Sequence, residues 1–249
     1  MNVHSLASAK APVLDTPKVE RHDFLASIGR ETLRERVYSA LRRSLMHGAF
    51  EAGEVLRIVE LAQRLQTSAM PVREGIGRLV SEQALEAMPN RSVRVPLISR
   101  ERLDDLTRAR CLVEGELVEL ALPNLGDADY AVLRSHTSAC EAAFAGGAAN
   151  RAHVAAGLNH AFHFHIYQAA GSAVLIPVAE SLWLQSGPYV RAAAQTHNEA
   201  TDQPAFKYHW TLIEALERRD TSAAVQALNS DITQSFNVIR AHLDEDAEA

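Results

Sequence analysis

Residues 61–79 read Leu61-Ala-Gln-Arg-Leu65-Gln-Thr-Ser68-Ala-Met-Pro71-Val-Arg73-Glu-Gly-Ile76-Gly-Arg-Leu79. Two helical patterns meet in this stretch. Ile58, Leu61, Ala62 and Leu65 share one face of a segment from Arg57 to Leu65, and Val72, Ile76, Leu79 and Val80 share one face of the next. Thr67 and Ser68 interrupt the first segment and can cap the second, whose first turn accepts Pro71. Two short helices joined by about three or four residues have helix-turn-helix spacing.

The pattern extends in both directions. Upstream, Leu33, Val37, Leu41 and Leu45 recur every four residues on one helix face, ended by Gly48, with Gly53 in the following turn. Downstream, Leu85-Glu-Ala-Met88, Pro89-Asn-Arg-Ser92 and Val93-Arg-Val95 read as strand, turn and strand, which makes a wing. Residues 1–28 mix Ser, Ala, Pro, Lys and His without period and read as a flexible arm. From Ser99 onward strand alternation is absent. Turn signals fall at Pro123-Asn124, Gly146-Gly147, Gly171-Ser172, Asp202-Gln-Pro204 and Asp220-Thr221. They divide the rest into about six helices of roughly 15–25 residues, an antiparallel bundle ending in a frayed acidic tail. The expected protein is mainly α: an arm over 1–28, a winged helix-turn-helix over 29–97 and an all-α helical bundle over 98–249.

Composition narrows the function. The chain has 249 residues, 47% hydrophobic and 22% charged, enough for a sizeable core. No run of about 18 apolar residues is present to span a membrane. The N-terminus lacks the apolar stretch of a secretory signal. Two cysteines, Cys111 and Cys140, exclude a disulfide scaffold and a cysteine zinc finger, so a reducing cytoplasm is expected. The net charge of −6 is unevenly spread: residues 1–97 carry 14 Lys+Arg against 11 Asp+Glu, and residues 98–249 carry 11 against 20. A mildly basic head suits a phosphate backbone and an acidic bundle does not. Eight of the eleven histidines lie in the acidic part, which raises the question of a metal.

A recognition helix places its N-terminal side chains in the major groove. Here these are Ser68, Ala69, Met70 and Arg73, with Arg73 able to reach guanine O6/N7 or a phosphate. Arg57, Arg78, Asn90, Arg91 and Arg94 are candidates to fix the head on the backbone.

Four stretches carry a resemblance: Gly48-Ala-Phe-Glu-Ala-Gly53, Glu60-Leu-Ala-Gln-Arg-Leu65, Ser68-Ala-Met-Pro-Val-Arg-Glu74 and Pro89-Asn-Arg91. Together they resemble the winged helix-turn-helix of GntR-family bacterial regulators. Three positions depart from that family's pattern. Ala69 replaces its arginine, Ser92 its wing glycine, and Gly75 a helical alanine at a propensity cost of about 1 kcal/mol. The missing arginine implies an operator unlike the family's usual one.

The remainder resembles the FCD-type (FadR C-terminal-like) ligand-binding domain. The matching text is Asp105-Leu-Thr-Arg-Ala-Arg110-Cys-Leu-Val-Glu114, Asn159-His-Ala-Phe-His163, Ala169-Ala-Gly-Ser-Ala-Val-Leu175, and His209 ahead of Ile213, Ala215, Leu216 and Asp220. The resemblance implies a divalent metal inside the bundle, held by Asn159, His163, His209 and Asp231, the last in place of a histidine. Asn159 and His163, four apart, can point at one centre. Two imidazoles and a carboxylate suit zinc, with manganese, nickel or iron as alternatives. Arg110 falls at a pocket arginine of that family and can anchor a carboxylate effector, or pair with Glu114 on its own helix. Trp183, Tyr189 and Arg191 are further candidates to line the pocket, while His160, His165, Phe162, Phe164 and Tyr167 read as structural.

The chain has no His-Glu-x-x-His, no di-iron Glu-x-x-His, no phosphate loop and no Gly-x-Ser-x-Gly. The expectation is a homodimeric, metabolite-responsive repressor of a palindromic DNA operator with a small carboxylate effector. A metal-dependent helical enzyme tethered to DNA is the alternative, and a constitutive architectural DNA binder a third class.

Overall fold

The structure is a computed structural model that describes residues 32–89, 92–145, 151–196 and 206–248. The expected arm, the wing tip with Asn90 and Arg91, and the turn signals at 146–147 and 202–204 lie outside the described residues.

Helix α1 (Leu33–Met46) starts at a capping box, in which Thr32 accepts from the Glu35 N–H and Glu35 accepts from the Thr32 N–H. Val37, Leu41 and Leu45 are buried as the period requires, but Leu33 is 53% exposed. Beside Leu33, Arg34 in the first turn of α1 forms an exposed ion pair with Glu74 at 2.8 Å. Gly48 (φ +62) closes the helix, its N–H donating to the Leu45 carbonyl.

Strand β1 (Val55–Leu56) leads into α2 (Ile58–Arg64) and α3 (Ala69–Ser81). Ser68 takes the N-cap backbone conformation of α3, yet its hydroxyl makes no cap hydrogen bond and stays exposed. Strands β2 (Glu86–Ala87) and β3 (Val93–Arg94) form the expected wing. β1 adds to it, giving the antiparallel order β1-β3-β2 with Leu56 and Ala87 both opposite Val93. All three strands are two residues long; the wing pair is legible from the turn residues between its two apolar runs, and β1 has no such turn to mark it.

The bundle consists of α4 (Arg100–Ala121), α5 (Asp127–Ala145), α6 (Arg151–Ala169), α7 (Leu175–Thr196), α8 (Lys207–Glu217) and α9 (Thr221–Glu248). Breaks at Pro123-Asn124, Gly171-Ser172 and Asp220 fall where the turn residues stand. α8, at 11 residues, is shorter than the expected range. α9, at 28, is longer because it continues as helix through the acidic tail. α9 packs on α4, α7 and α8, and α5 packs on α6. Leu103, Leu117, Leu133, Phe162, Leu184 and Phe236 fill the centre. Among the described residues no helix is long and apolar enough to cross a membrane.

The head does not hang free. α1 lies along α7, and a Cβ built on Gly187 would stand 1.9 Å from the Leu45 carbonyl oxygen, so only glycine permits this approach. Arg42 pairs with Glu180 at 3.0 Å beside it.

Glycine placement in α3 yields a test. Gly77 sits mid-helix and exposed, and a Cβ there meets nothing within 4 Å. Gly77→Ala should stabilise the fold by about 0.5–1 kcal/mol, read as a higher urea midpoint at unchanged slope. A lower midpoint would contradict the open surroundings of this position.

Candidate functional site

Helix α6 carries Asn159 and His163 one turn apart, α8 carries His209, and α9 carries Asp231. The three helices bring all four side chains to one point. His163 Nε2 lies 3.2 Å from Asp231 Oδ2, and His209 Nε2 lies 2.9 Å from Asn159 Oδ1 and 3.8 Å from Asp231 Oδ1. One ligand atom from each of His163, His209 and Asp231 falls within 4.8 Å of the others. Both imidazoles are fully buried, and the His209 ring stacks on Phe162 at 3.8 Å.

The polar bookkeeping of this cluster is incomplete. His163 Nε2 and His209 Nδ1 are buried without a hydrogen-bond partner, the 3.2 Å approach to Asp231 being poorly aligned. On the far side of His163, Nδ1 lies 3.3 Å from the Tyr167 hydroxyl, which itself donates to Glu114 Oε2 at 2.6 Å. Tyr167 can therefore accept only from an Nδ1–H, which assigns the Nε2 lone pair to the cluster. Burial pushes His209 down to about 3, so its ring is neutral at ordinary pH. Burial pushes the Asp231 carboxyl up, but its surroundings, with Arg110 the fixed positive charge among them, outweigh this and hold it below the ordinary carboxylate range. Two imidazoles, a carboxylate and an amide oxygen are a donor set that fits a divalent cation.

The cluster opens on a cavity of about 110 Å³, room for several waters or one small organic molecule. Asn159, Asp231 and Arg110 lie on its polar wall with Gln234 and Ser235, and Phe144, Phe206 and Tyr208 are among its aromatic lining. Arg110 spends Nε and Nη2 on Glu114, at 2.6 and 3.2 Å, so the same-helix pair forms and the guanidinium is not a free fork. Trp183 lies behind it, the guanidinium carbon standing 4.3 Å above the ring.

Three expected pocket residues stand elsewhere. Trp183 and Tyr189 are buried core rather than cavity lining, Tyr189 packing edge-on against Phe236. Arg191 lies on the face of α7 that meets the head. It donates to the Gly48 carbonyl and to Glu51, both at 2.9 Å. Phe144, Phe206 and Tyr208 escaped the sequence reading because nothing separates a cavity aromatic from a core one in a helical pattern. Tyr167 is buried as expected, but its hydroxyl links Glu114 to His163. Among the other histidines, His165 bonds Asp129 at 2.9 Å, and His160 stacks on Phe164 and reaches the ring of His47 in the head.

On α3 the side chains of Ser68, Met70 and Arg73 are exposed, and Arg73 has no ion-pair partner among the described residues. Arg57 is exposed and leans on Glu60 at 3.1 Å. Arg78 Nε bonds Glu82 at 3.0 Å and its guanidinium covers the Tyr38 ring at 3.8 Å, so it ties α3 to α1 while its side chain stays 59% exposed. Arg94 is likewise engaged by Glu86.

The buried His209 and the half-buried His160 give the fold a pH dependence. His209, down to about 3, and His160, down to about 4, stay neutral in the folded chain where unfolded imidazoles, near 6.5, take up protons. Their contribution is complete above the unfolded value and is lost as pH falls. With no metal added, the urea midpoint should therefore drop steadily below pH 6.5, and His160→Phe should flatten that slope. A midpoint indifferent to acid would contradict it.

Bacterial regulatory proteins of the gntR family match over residues 33–95, and the FCD domain matches over residues 105–234. The transcriptional regulator McbR of Escherichia coli is 28% identical over 82% of this chain and 91% of its own length. The repressor GlaR of the same organism is 28% identical over 82% of this chain and 94% of its own. The solved structure of E. coli McbR/YncC superposes with a TM-score of 0.78, covering 86% of this chain and all of that one. A regulator from Rhodococcus sp. RHA1, at 21% identity and a TM-score of 0.68, shares the fold. These matches mark a regulator and not an enzyme: the chain belongs to the GntR family of DNA-binding bacterial transcriptional regulators, with an FCD domain behind its winged helix-turn-helix.

Proposed function

We propose that this regulator is a homodimeric repressor whose bundle holds one divalent metal and, against it, a small carboxylate effector that releases a two-fold operator. The observation that carries the reading is the convergence of Asn159, His163, His209 and Asp231, of which Asn159 and Asp231 line a cavity, with a buried His163 Nε2 lone pair unused. An unpaired buried nitrogen is costly, and a metal ligand bond removes the cost. Zinc is the first choice; manganese, nickel and iron accept the same donors. GlaR is named a repressor, which favours that direction of control.

Charge decides the class of effector. The charged groups lining the cavity are Asp231 and Arg110, which offset one another and leave the wall without a net pull on an organic acid. A divalent ion makes the wall positive and offers an open position to a carboxylate. Arg110, held by Glu114, contributes a fixed positive charge at the cavity rather than a bidentate grip. The acid should therefore bind only the metal-loaded protein.

Helix α7 offers the route to the head. Trp183 lies under Arg110, Gly187 one turn on meets Leu45, and Arg191 a further turn on holds Gly48 and Glu51. An effector that shifts Arg110 and Trp183 biases how the heads are held, and hence their fit to two half-sites.

Two experiments check this reading. Elemental analysis of the purified protein should give one divalent metal per chain, and His163→Ala combined with His209→Ala should give none, with a lower melting temperature. Metal retained at one per chain in that variant would exclude the ligand set. Arg191→Ala should keep the metal and any co-purifying acid seen by native mass spectrometry, yet lose the effect of that acid on operator affinity. An intact response would exclude the α7 route.

A further inference from the structure

The outward face of α3 carries an apolar feature that the fold does not need. Val72, Ile76 and Leu79 bury the inner face, while Met70 stands 58% exposed on the opposite side. Met70, Arg73 and Gly77 are spaced three and four residues apart and form one stripe. Along it the surface is apolar, then cationic, then bare, since a Cβ on Gly77 would meet nothing within 4 Å. Ser68 keeps its hydroxyl free of the helix cap, and Glu74 is turned away to Arg34, so among the described residues no carboxylate pairs with Arg73. Ala69, half-exposed beside Met70, extends the apolar end and brings no charge.

The major groove presents one apolar feature to such a stripe, the 5-methyl group of thymine; guanine presents the paired acceptors that suit an arginine. Met70 and Arg73 are separated by about 4.5 Å of rise along the helix. Successive base pairs are separated by about 3.4 Å. Two such side chains thus meet neighbouring base pairs. We propose that Met70 is a specificity-determining residue that packs on a thymine methyl, next to a guanine taken by Arg73, so that each half-site carries T and G on adjacent base pairs. Methionine suits this contact because its unbranched, polarizable side chain adapts to the groove floor. The assignment rests on the head reading operator DNA, which family membership establishes.

The test begins with duplexes enriched from a random-sequence library by the full-length protein at fixed salt. Each thymine of the enriched duplex is then replaced singly by uracil, which removes only the methyl group, and affinity is read by fluorescence anisotropy. One thymine per half-site should weaken the wild-type protein about fourfold on replacement, the worth of one methyl removed from water. Met70→Ala, exposed and so unchanged in melting temperature, should bind the thymine and uracil duplexes equally. A wild-type protein indifferent to uracil throughout, or a Met70→Ala variant that keeps the loss, overturns the proposal alone. A library with no enriched sequence overturns sequence reading by the head altogether.

Discussion

A charged or polar group inside a helical bundle is tolerated only where its protons and lone pairs find partners. That constraint organises the middle of this protein. Arg110 bonds Glu114, Glu114 also accepts from Tyr167, and Tyr167 meets His163, so one chain of contacts runs from α4 to the centre of α6. Its end is the orphaned Nε2 of His163, facing Asp231 and His209. Every partner along the chain is fixed by the one before it. The His163 ring is held by a tyrosine whose own proton is committed to a carboxylate, which in turn is committed to an arginine. The cluster is therefore oriented from its second layer outward, as preorganised ligand sets are.

The same helices that close the cluster also hold the reading head. α7 runs behind Arg110 through Trp183 and then beneath α1, where Gly187 lets a backbone carbonyl approach closer than any side chain would allow. His160 on α6 reaches His47 at the end of α1, one turn before the cluster residue His163. Close-packed contacts of this kind transmit displacement because they have no slack to absorb it. The arginine of α7 most easily taken for a ligand anchor, Arg191, instead spends its hydrogen bonds on the head.

Within the head, the arginines divide by what they face. Arg78 and Arg94 pair with Glu82 and Glu86, while Arg73 points outward with no ion-pair partner among the described residues. Basic composition marked this segment as one for DNA, but counting arginines overstates the number available to it. Ion pairing at a surface costs little to form and little to break, so Arg57, leaning on Glu60, stays able to reach a phosphate.

Periodicity by itself determined the element types of the described chain, including α1 to α3, the two wing strands and six bundle helices. A helix must bury one face at a spacing of 3.6 residues, and this leaves its trace in the sequence. It also put Asn159 and His163 on one face, because four residues make about one turn. The addition of β1 to the wing, the exposure of Leu33, the diversion of Arg191 to the head and the pairing of Arg110 with Glu114 and Tyr167 were decided by tertiary packing. So was the meeting of residue 163 with residues 209 and 231, on three different helices. Period reports which face of an element is buried, but not which distant element comes to cover it. A site assembled from several helices exists only once those choices are made.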